Sequence, residues 1–147
     1  MPFACADLTR PFPIRTGVLD GVFAGEIIEH LFDPMAFLAE CRRTLAPGGA
    51  IVVTTPNLAT LPDRLRFLAG RSPRQVDALH PYLRLHIRPF TYRSLARILR
   101  ASGFTPTDLR SNYVALGAGR AGIESRALAR VFPSVGGSLI VAAVRDR

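Results

Sequence analysis

The run that decides the fold is Phe23-Ala24-Gly25-Glu26-Ile27-Ile28-Glu29-His30-Leu31, followed by Asp33-Pro34, a helix-like stretch, Pro47-Gly48-Gly49 and Ile51-Val52-Val53-Thr54-Thr55-Pro56-Asn57. It reads as strand, acidic turn, helix, Gly-Gly turn, strand. Val22 and Phe23 form the kernel of a short buried strand over residues 19–25. Asp33 before Pro34 predicts a helix start, because the carboxylate accepts from orphan backbone N–H groups and proline at the first helical position has none to lose. Phe37, Leu38, Cys41 and Leu45 then fall on one face, and Pro47-Gly48-Gly49 ends the helix. Residues 50–55 are almost all β-branched or small and apolar, as suits a strand covered on both faces.

Outward from this core the alternation continues. Residues 1–8 read as no more than the end of a strand closed by Asp7, and Pro11, Pro13 and Gly17 punctuate a loop. Downstream, Leu61, Leu65 and Leu68 stand at helical spacing with Gly70 as a stop, and residues 71–89 form a long segment rich in Pro, His and Arg. Loops of that length are usually functional or mobile. Thr91 caps a helix whose apolar stripe is Leu95, Ile98 and Leu99, with Gly103 ending it. A strand within residues 104–116, a short helix over 123–132 and a last strand over 139–145 complete an open α/β sheet.

Composition narrows the function classes. The chain of 147 residues is 48% hydrophobic and 20% charged, which fits a single globular domain and excludes wholesale disorder. Its net charge of +8 comes from arginine alone, dispersed from Arg10 to Arg147 with no block of like charge. Without a recognisable reading motif, a solvated arginine-rich surface explains that better than a nucleic-acid face. Cys5 and Cys41 have no His or Cys at metal-ligand spacing, sit among apolar residues and read as small packed hydrophobes. The longest apolar run, residues 139–144, is far short of a membrane span, so no membrane partner and a cytoplasmic setting are expected.

The segment from Phe23 to Asn57 resembles the middle of class I S-adenosylmethionine-dependent methyltransferases. The resemblance implies a partial Rossmann-like open sheet running from the end of that family's third strand to its seventh, the last strand antiparallel, in one truncated domain over residues 1–147. It also implies S-adenosylmethionine as cofactor. Asp7-Leu8 matches the acidic pair after the third strand, where a carboxylate accepts from the adenine amino group; the alternative is an Asp capping its own turn. Gly25-Glu26 would stand at the carboxyl end of the fourth strand, facing the methionine end of the cofactor and the methyl group in transfer. Glu29 and His30 follow on the turn into the helix, where local charge neutralisation is the plainer role for Glu29.

The spacing Glu26-x-x-Glu29-His30 is similar to a stretch of ubiquinone-biosynthesis O-methyltransferases, where the resemblance implies a divalent metal near the acceptor hydroxyl. Three such residues so close together are common by chance, so no metal is expected outright. His30 can instead serve as general base, beside Glu26 as the other residue at the reacting centre, with His80 and His86 as rivals on the long loop. The stretch His86-Ile87-Arg88-Pro89-Phe90-Thr91 matches a family segment that often lines the acceptor pocket, which makes Tyr82, His86, Arg88 and Tyr92 candidate acceptor contacts.

Gly117-Ala118-Gly119-Arg120-Ala121-Gly122 fits a dinucleotide-binding spacing, but its strand entry is polar and no third strand completes the half-fold, so it reads as a surface loop. The glycine-rich cofactor loop and the ribose-binding acid of the resembling family have no counterpart before residue 23. In that family the fourth strand pairs with the first, so residues 19–25 are expected to expose an edge that seeks a second copy or a complementing chain. Two functions are therefore expected to compete: methyl transfer to a small-molecule O, N or C nucleophile, and a non-catalytic module that completes a partner's sheet.

Overall fold

The computed structural model describes residues 5–77, 79–80, 85–116 and 123–146. Its main sheet has the order β1-β2-β6-β3, built from β1 (Leu19–Gly25), β2 (Leu45–Pro56), β3 (Phe104–Arg110) and β6 (Ser138–Arg145). β1 and β2 run parallel, and β6 lies antiparallel to both of its neighbours, β2 and β3. A separate two-stranded ladder, β4 (Val114–Leu116) with β5 (Ile123–Ser125), is inserted between β3 and β6. The expected open α/β sheet with an antiparallel last strand is present.

The crossover from β1 to β2 is α1 (Pro34–Thr44). It starts as the sequence predicts: Asp33 Oδ1 accepts from the N–H groups of Met35 and Ala36, both at 3.0 Å, and Pro34 is the first helical residue. Phe37, Leu38 and Cys41 face the sheet and are buried. Residues 46–49 loop out between the Leu19–Leu45 and Gly21–Ala50 pairings, with Gly48 in the left-handed region at φ 77°. β2 then alternates buried with half-buried residues, one face fully covered and the other partly.

α2 (Leu61–Leu68) and α3 (Tyr92–Ala101) differ in how their apolar stripes are used. In α3 the Thr91 side chain and Ser94 cap each other reciprocally, and Leu95 and Leu99 are completely buried against Phe104, Leu139 and Val141. In α2 the inward residue is Asp63, while Leu65 is 59% and Leu68 82% exposed. Leu65 and Leu68 thus lie on an outer face of that helix while Leu61 is half-buried, so the spacing marks no core stripe.

Several boundaries differ from expectation. Residues 5–8 form no strand, and Cys5 is exposed while Cys41 is buried. Phe23, expected inside a buried strand, is 71% exposed, because β1 is the edge of the sheet and one of its faces has no layer over it. The segment 104–116 is two strands, and the short helix near the C-terminus, α4 (Arg126–Val131), is preceded by β5. Tyr82 and the Gly117 to Gly122 run lie outside the described residues. Among the described residues no helix is long and apolar enough to cross a membrane.

Candidate functional site

The carboxyl ends of β1 and β2 lie side by side, and chain polarity gathers chemistry there. Parallel strands both present their C-terminal ends to the same rim, which in open α/β sheets is where ligands bind. β1 ends at Gly25, and Glu26 adopts φ 51°, the one described non-glycine residue in the left-handed region. Thr54 holds it there: its carbonyl and hydroxyl both accept from the Glu26 N–H, at 3.0 and 3.2 Å, and its hydroxyl donates to Glu26 Oε1 at 2.9 Å. Left-handed backbone at a residue with a side chain carries strain, and such outliers cluster where a side chain must be aimed.

A short 3-10 turn, Ile28–His30, follows. Ile28 anchors it in the core, and Glu29 is drawn in with it, only 1% exposed. Among the described residues neither Glu29 carboxylate oxygen has a hydrogen-bond partner, and the buried Thr55 hydroxyl nearby has none either. Burial pushes the Glu29 carboxyl above its usual pKa; its own backbone amide and the Thr55 hydroxyl pull against that rise, and the Glu26 charge adds to it. Thr55 exerts this pull by proximity, without the geometry of an ordinary hydrogen bond. Glu29 is therefore no surface neutraliser of a helix start but a buried acid.

His30 and His86 close the cluster. His30 Nε2 is 3.9 Å from Glu29 Oε1, and its Nδ1 lies 3.0 Å from the Leu85 carbonyl. His86 Nδ1 lies 3.1 Å from Gln75 Oε1, and the two imidazoles meet edge to face with centroids 4.9 Å apart. A carbonyl oxygen only accepts, so each Nδ1 carries a proton and, in the neutral ring, Nε2 keeps the lone pair. Glu29, His30 and His86 each offer a ligand atom within 4.8 Å of the others. Glu26, the third member of the sequence spacing, stands apart from that set, tied to Thr54.

The remaining candidates are scattered or already engaged. Arg88 fastens the long segment to the turn: its backbone N–H donates to the Glu29 carbonyl at 3.0 Å, and Nε and Nη2 donate to the Phe32 carbonyl at 2.9 and 2.6 Å. It borders a groove of about 660 Å³ with Phe32, Met35, Ile87 and Ile98. Tyr92 lines a different cavity of about 600 Å³, with Arg64, Arg93 and Ser134, so these two are not brought together. Asp7 caps its own turn, accepting from the Thr9 N–H at 2.9 Å and the Thr9 hydroxyl at 2.7 Å, bonds that hold its carboxyl below the usual range. Arg10 sits 3.5 Å from its other oxygen, and Leu8 packs against the core.

Sequence reasoning missed Thr54, Thr55 and Gln75, which hold or neighbour the acidic turn and orient His86. The signal was available for the threonines: two hydroxyls ending an otherwise apolar strand at the ligand-binding rim.

Comparison with known proteins agrees with this architecture. The family described as methyltransferase domain matches residues 14–109. A Mycolicibacterium smegmatis protein named "probable S-adenosylmethionine-dependent methyltransferase" is 34% identical over 133 residues, covering 90% of this chain and 43% of its own length. The chain therefore spans less than half of that relative. A Caulobacter ubiquinone biosynthesis O-methyltransferase is 46% identical over 41 residues, 28% of this chain and 16% of its own. Among solved structures, a SAM-dependent methyltransferase from Thermotoga maritima superposes with a TM-score of 0.62 at 15% identity, over 92% of this chain and 60% of that one, a likeness of fold alone. With the family match spanning well over half of its residues, the chain belongs to the methyltransferase domain family.

Proposed function

We propose that this chain forms the acceptor-side part of an S-adenosylmethionine-dependent methyltransferase that methylates an O, N or C nucleophile of a small molecule. The observation that carries the reading is the buried Glu29 beside His30 and His86, on the rim where parallel β1 and β2 end and Glu26 is aimed by a left-handed backbone. The strand order β1-β2-β6-β3 with β6 antiparallel corresponds in this reading to the family's strands four, five, seven and six.

The residues fit part of the cofactor. Gly25 and Glu26 supply backbone at the strand end, and the exposed carboxylate of Asp7 accepts from an amine once it exchanges its contacts with Thr9 and Arg10. Bound S-adenosylmethionine supplies a sulfonium methyl group open to in-line attack. Glu26 orients the reacting centre, and positioning of that kind accounts for most of the acceleration. His30 Nε2 would accept the proton that an acceptor O–H or N–H gives up on taking the methyl group. Glu29 Oε1, 3.9 Å away, steadies the resulting imidazolium.

Supplied with methyl-labelled S-adenosylmethionine and a panel of phenols, amines and activated C–H acids, the protein is expected to label one class, with His30→Ala lowering the rate by about 10²-fold or more. Labelling unaffected by both His30→Ala and Glu26→Gln would remove these residues from the reacting centre. A second reading has its own observation: among the described residues β1 is paired on one side alone, and Phe23 projects from it 71% exposed. In that reading the edge accepts a strand from a second copy or a complementing chain, with or without catalysis.

A further inference from the structure

We propose that the cavity at the carboxyl end of β3 binds a small molecule with an acidic head group, a carboxylate or a phosphate, on an apolar body, and that Arg64 and Arg93 receive the head group. The cavity holds about 600 Å³, within the ~300–1,000 Å³ of small-molecule sites. Because β6 is antiparallel to both β2 and β3, β3 runs parallel to β2, and its carboxyl end, where Leu109 lines the cavity, opens on the same rim as Gly25. In the order β1-β2-β6-β3 it stands three strand spacings of ~4.8 Å from β1, roughly 14 Å. This is a site apart from Glu26 and His30, and its binding does not depend on methyl transfer.

Charge carries the inference. Two guanidiniums line the cavity, and among the described residues no carboxylate lines it with them. Arg64 is held by neutral partners: Nε donates to the Ala59 carbonyl at 2.8 Å and Nη2 to the Ser134 carbonyl at 3.2 Å. These bonds orient the planar fork without neutralising it, and Nη1 makes no hydrogen bond among the described residues. Arg43 and Arg74 show the alternative, each closed on a carboxylate of its own, Glu40 and Asp63. Arg93 has no hydrogen bond or ion pair among the described residues, and the first turn of α3 that carries it contains no acid. Like charges around one cavity repel, and an oxyanion between them removes that cost. Arginine suits the task, since its fork donates in pairs to carboxylate or phosphate oxygens.

The rest of the lining is fixed and largely apolar. Asn57, a residue with no exposure, donates through Nδ2 to the Ser134 carbonyl at 3.1 Å, the same oxygen that Arg64 uses. A receptor set in place this way loses little entropy when its ligand arrives. Leu109 and Pro133 offer apolar surface, and the Tyr92 ring packs against the core while lining the cavity. A ring or short aliphatic body gains there by leaving water, whereas a bare inorganic anion uses the arginines alone.

The test titrates the folded, ¹⁵N-labelled 147-residue protein at fixed ionic strength with benzoate and with phenyl phosphate, following the amide shifts of Tyr92 and Arg93. Benzamide and inorganic phosphate, each lacking one half of the probe, run alongside, and circular dichroism checks each variant for folding. Saturable binding of benzoate or phenyl phosphate is expected, the tighter of the two naming the head group. Arg64→Gln and Arg93→Gln are each expected to weaken it by about tenfold or more, the effect of losing a charge-assisted hydrogen bond. Arg97→Gln, which removes the same charge from the same helix outside the cavity, is expected to leave it unchanged. Arg64 also braces two backbone carbonyls, so if its variant unfolds, Arg93→Gln decides. No saturable binding by the folded protein, a loss in Arg97→Gln equal to that in Arg93→Gln, or either half binding as tightly as the whole probe would overturn the assignment.

Discussion

Burial of the Glu29 carboxylate makes its own pH dependence a measure of the site. Desolvation raises its pKa in the folded state above the unfolded value, so folding favours the protonated form. The resulting stabilisation is complete below the unfolded carboxylate range and is lost as pH rises through the folded value. Glu29→Gln is expected to raise Tm near neutral pH by roughly 2–4 °C, the shift that about 1 kcal/mol gives in a chain of this size, and to have no effect at about pH 4, near the ordinary carboxyl pKa. Thermal melts across that range check it. Asp63 behaves oppositely. It too is 1% exposed, but against the raising effect of burial the Thr60 hydroxyl and the Arg74 backbone and guanidinium bring its pKa below the usual value. Its contribution is therefore present above the unfolded pKa and lost as pH falls through the folded one. Asp63→Ala is expected to cost about 2–3 kcal/mol at pH 7 in urea unfolding and progressively less in acid. The acidic turn was legible because Glu26, Glu29 and His30 are adjacent in sequence. The partnership with His86 was not, since it lies 56 positions beyond His30 and is brought beside it by contacts remote in sequence, among them those of Arg88 to Phe32 and to the Glu29 carbonyl.

At the scale of elements, α2 and α3 both carry apolar residues at helical spacing, yet Leu65 and Leu68 are exposed where Leu95 and Leu99 are buried. Sequence periodicity shows that a helix has an apolar stripe, and it says nothing about which side of the helix the body of the protein occupies. In α2 the side is set by Asp63, whose bonds to Thr60 and Arg74 face inward and leave Leu65 and Leu68 outward. Replacing Leu65 or Leu68 by Gln is expected to change stability by no more than about 0.5 kcal/mol, as at other exposed positions. Leu95→Ala, at a position with no exposure, is expected to cost about 2–5 kcal/mol. Chemical unfolding of the three variants under one set of conditions checks the contrast. The starts of α1 and α3 were legible because Asp33-Pro34 and Thr91 act through local capping chemistry. β5 was not, because its three residues owe their strand form to pairing with β4, a partner no local pattern names.

For the molecule as a whole, the sheet order β1-β2-β6-β3 leaves β1 on one margin with Phe23 and Val18 exposed. Unpaired apolar edges recruit partners. Light scattering after size exclusion is expected to show concentration-dependent self-association, and Phe23→Arg to shift it toward monomer by about tenfold or more in dissociation constant, as loss of about 1.4 kcal/mol would give. An unchanged assembly state in Phe23→Arg would place the contact elsewhere. The alternation of strand and helix was readable from residues 19–57 and 91–103 because each element there is bounded by strong punctuation. The exposure of β1 was anticipated at the backbone level, yet the outward turn of Phe23 was missed, because apolar character alone does not distinguish a core residue from an edge awaiting a neighbour.

The central claim, a methyltransferase rim at the carboxyl ends of β1 and β2, is tested most directly by calorimetric titration of the folded, size-selected protein with S-adenosylhomocysteine. Saturable binding with a Kd near micromolar, on the order of −8 kcal/mol, weakened in Glu26→Gln, is the result the account predicts. No heat of binding from folded protein, alone or in its associated form, would contradict a cofactor-competent rim in this chain.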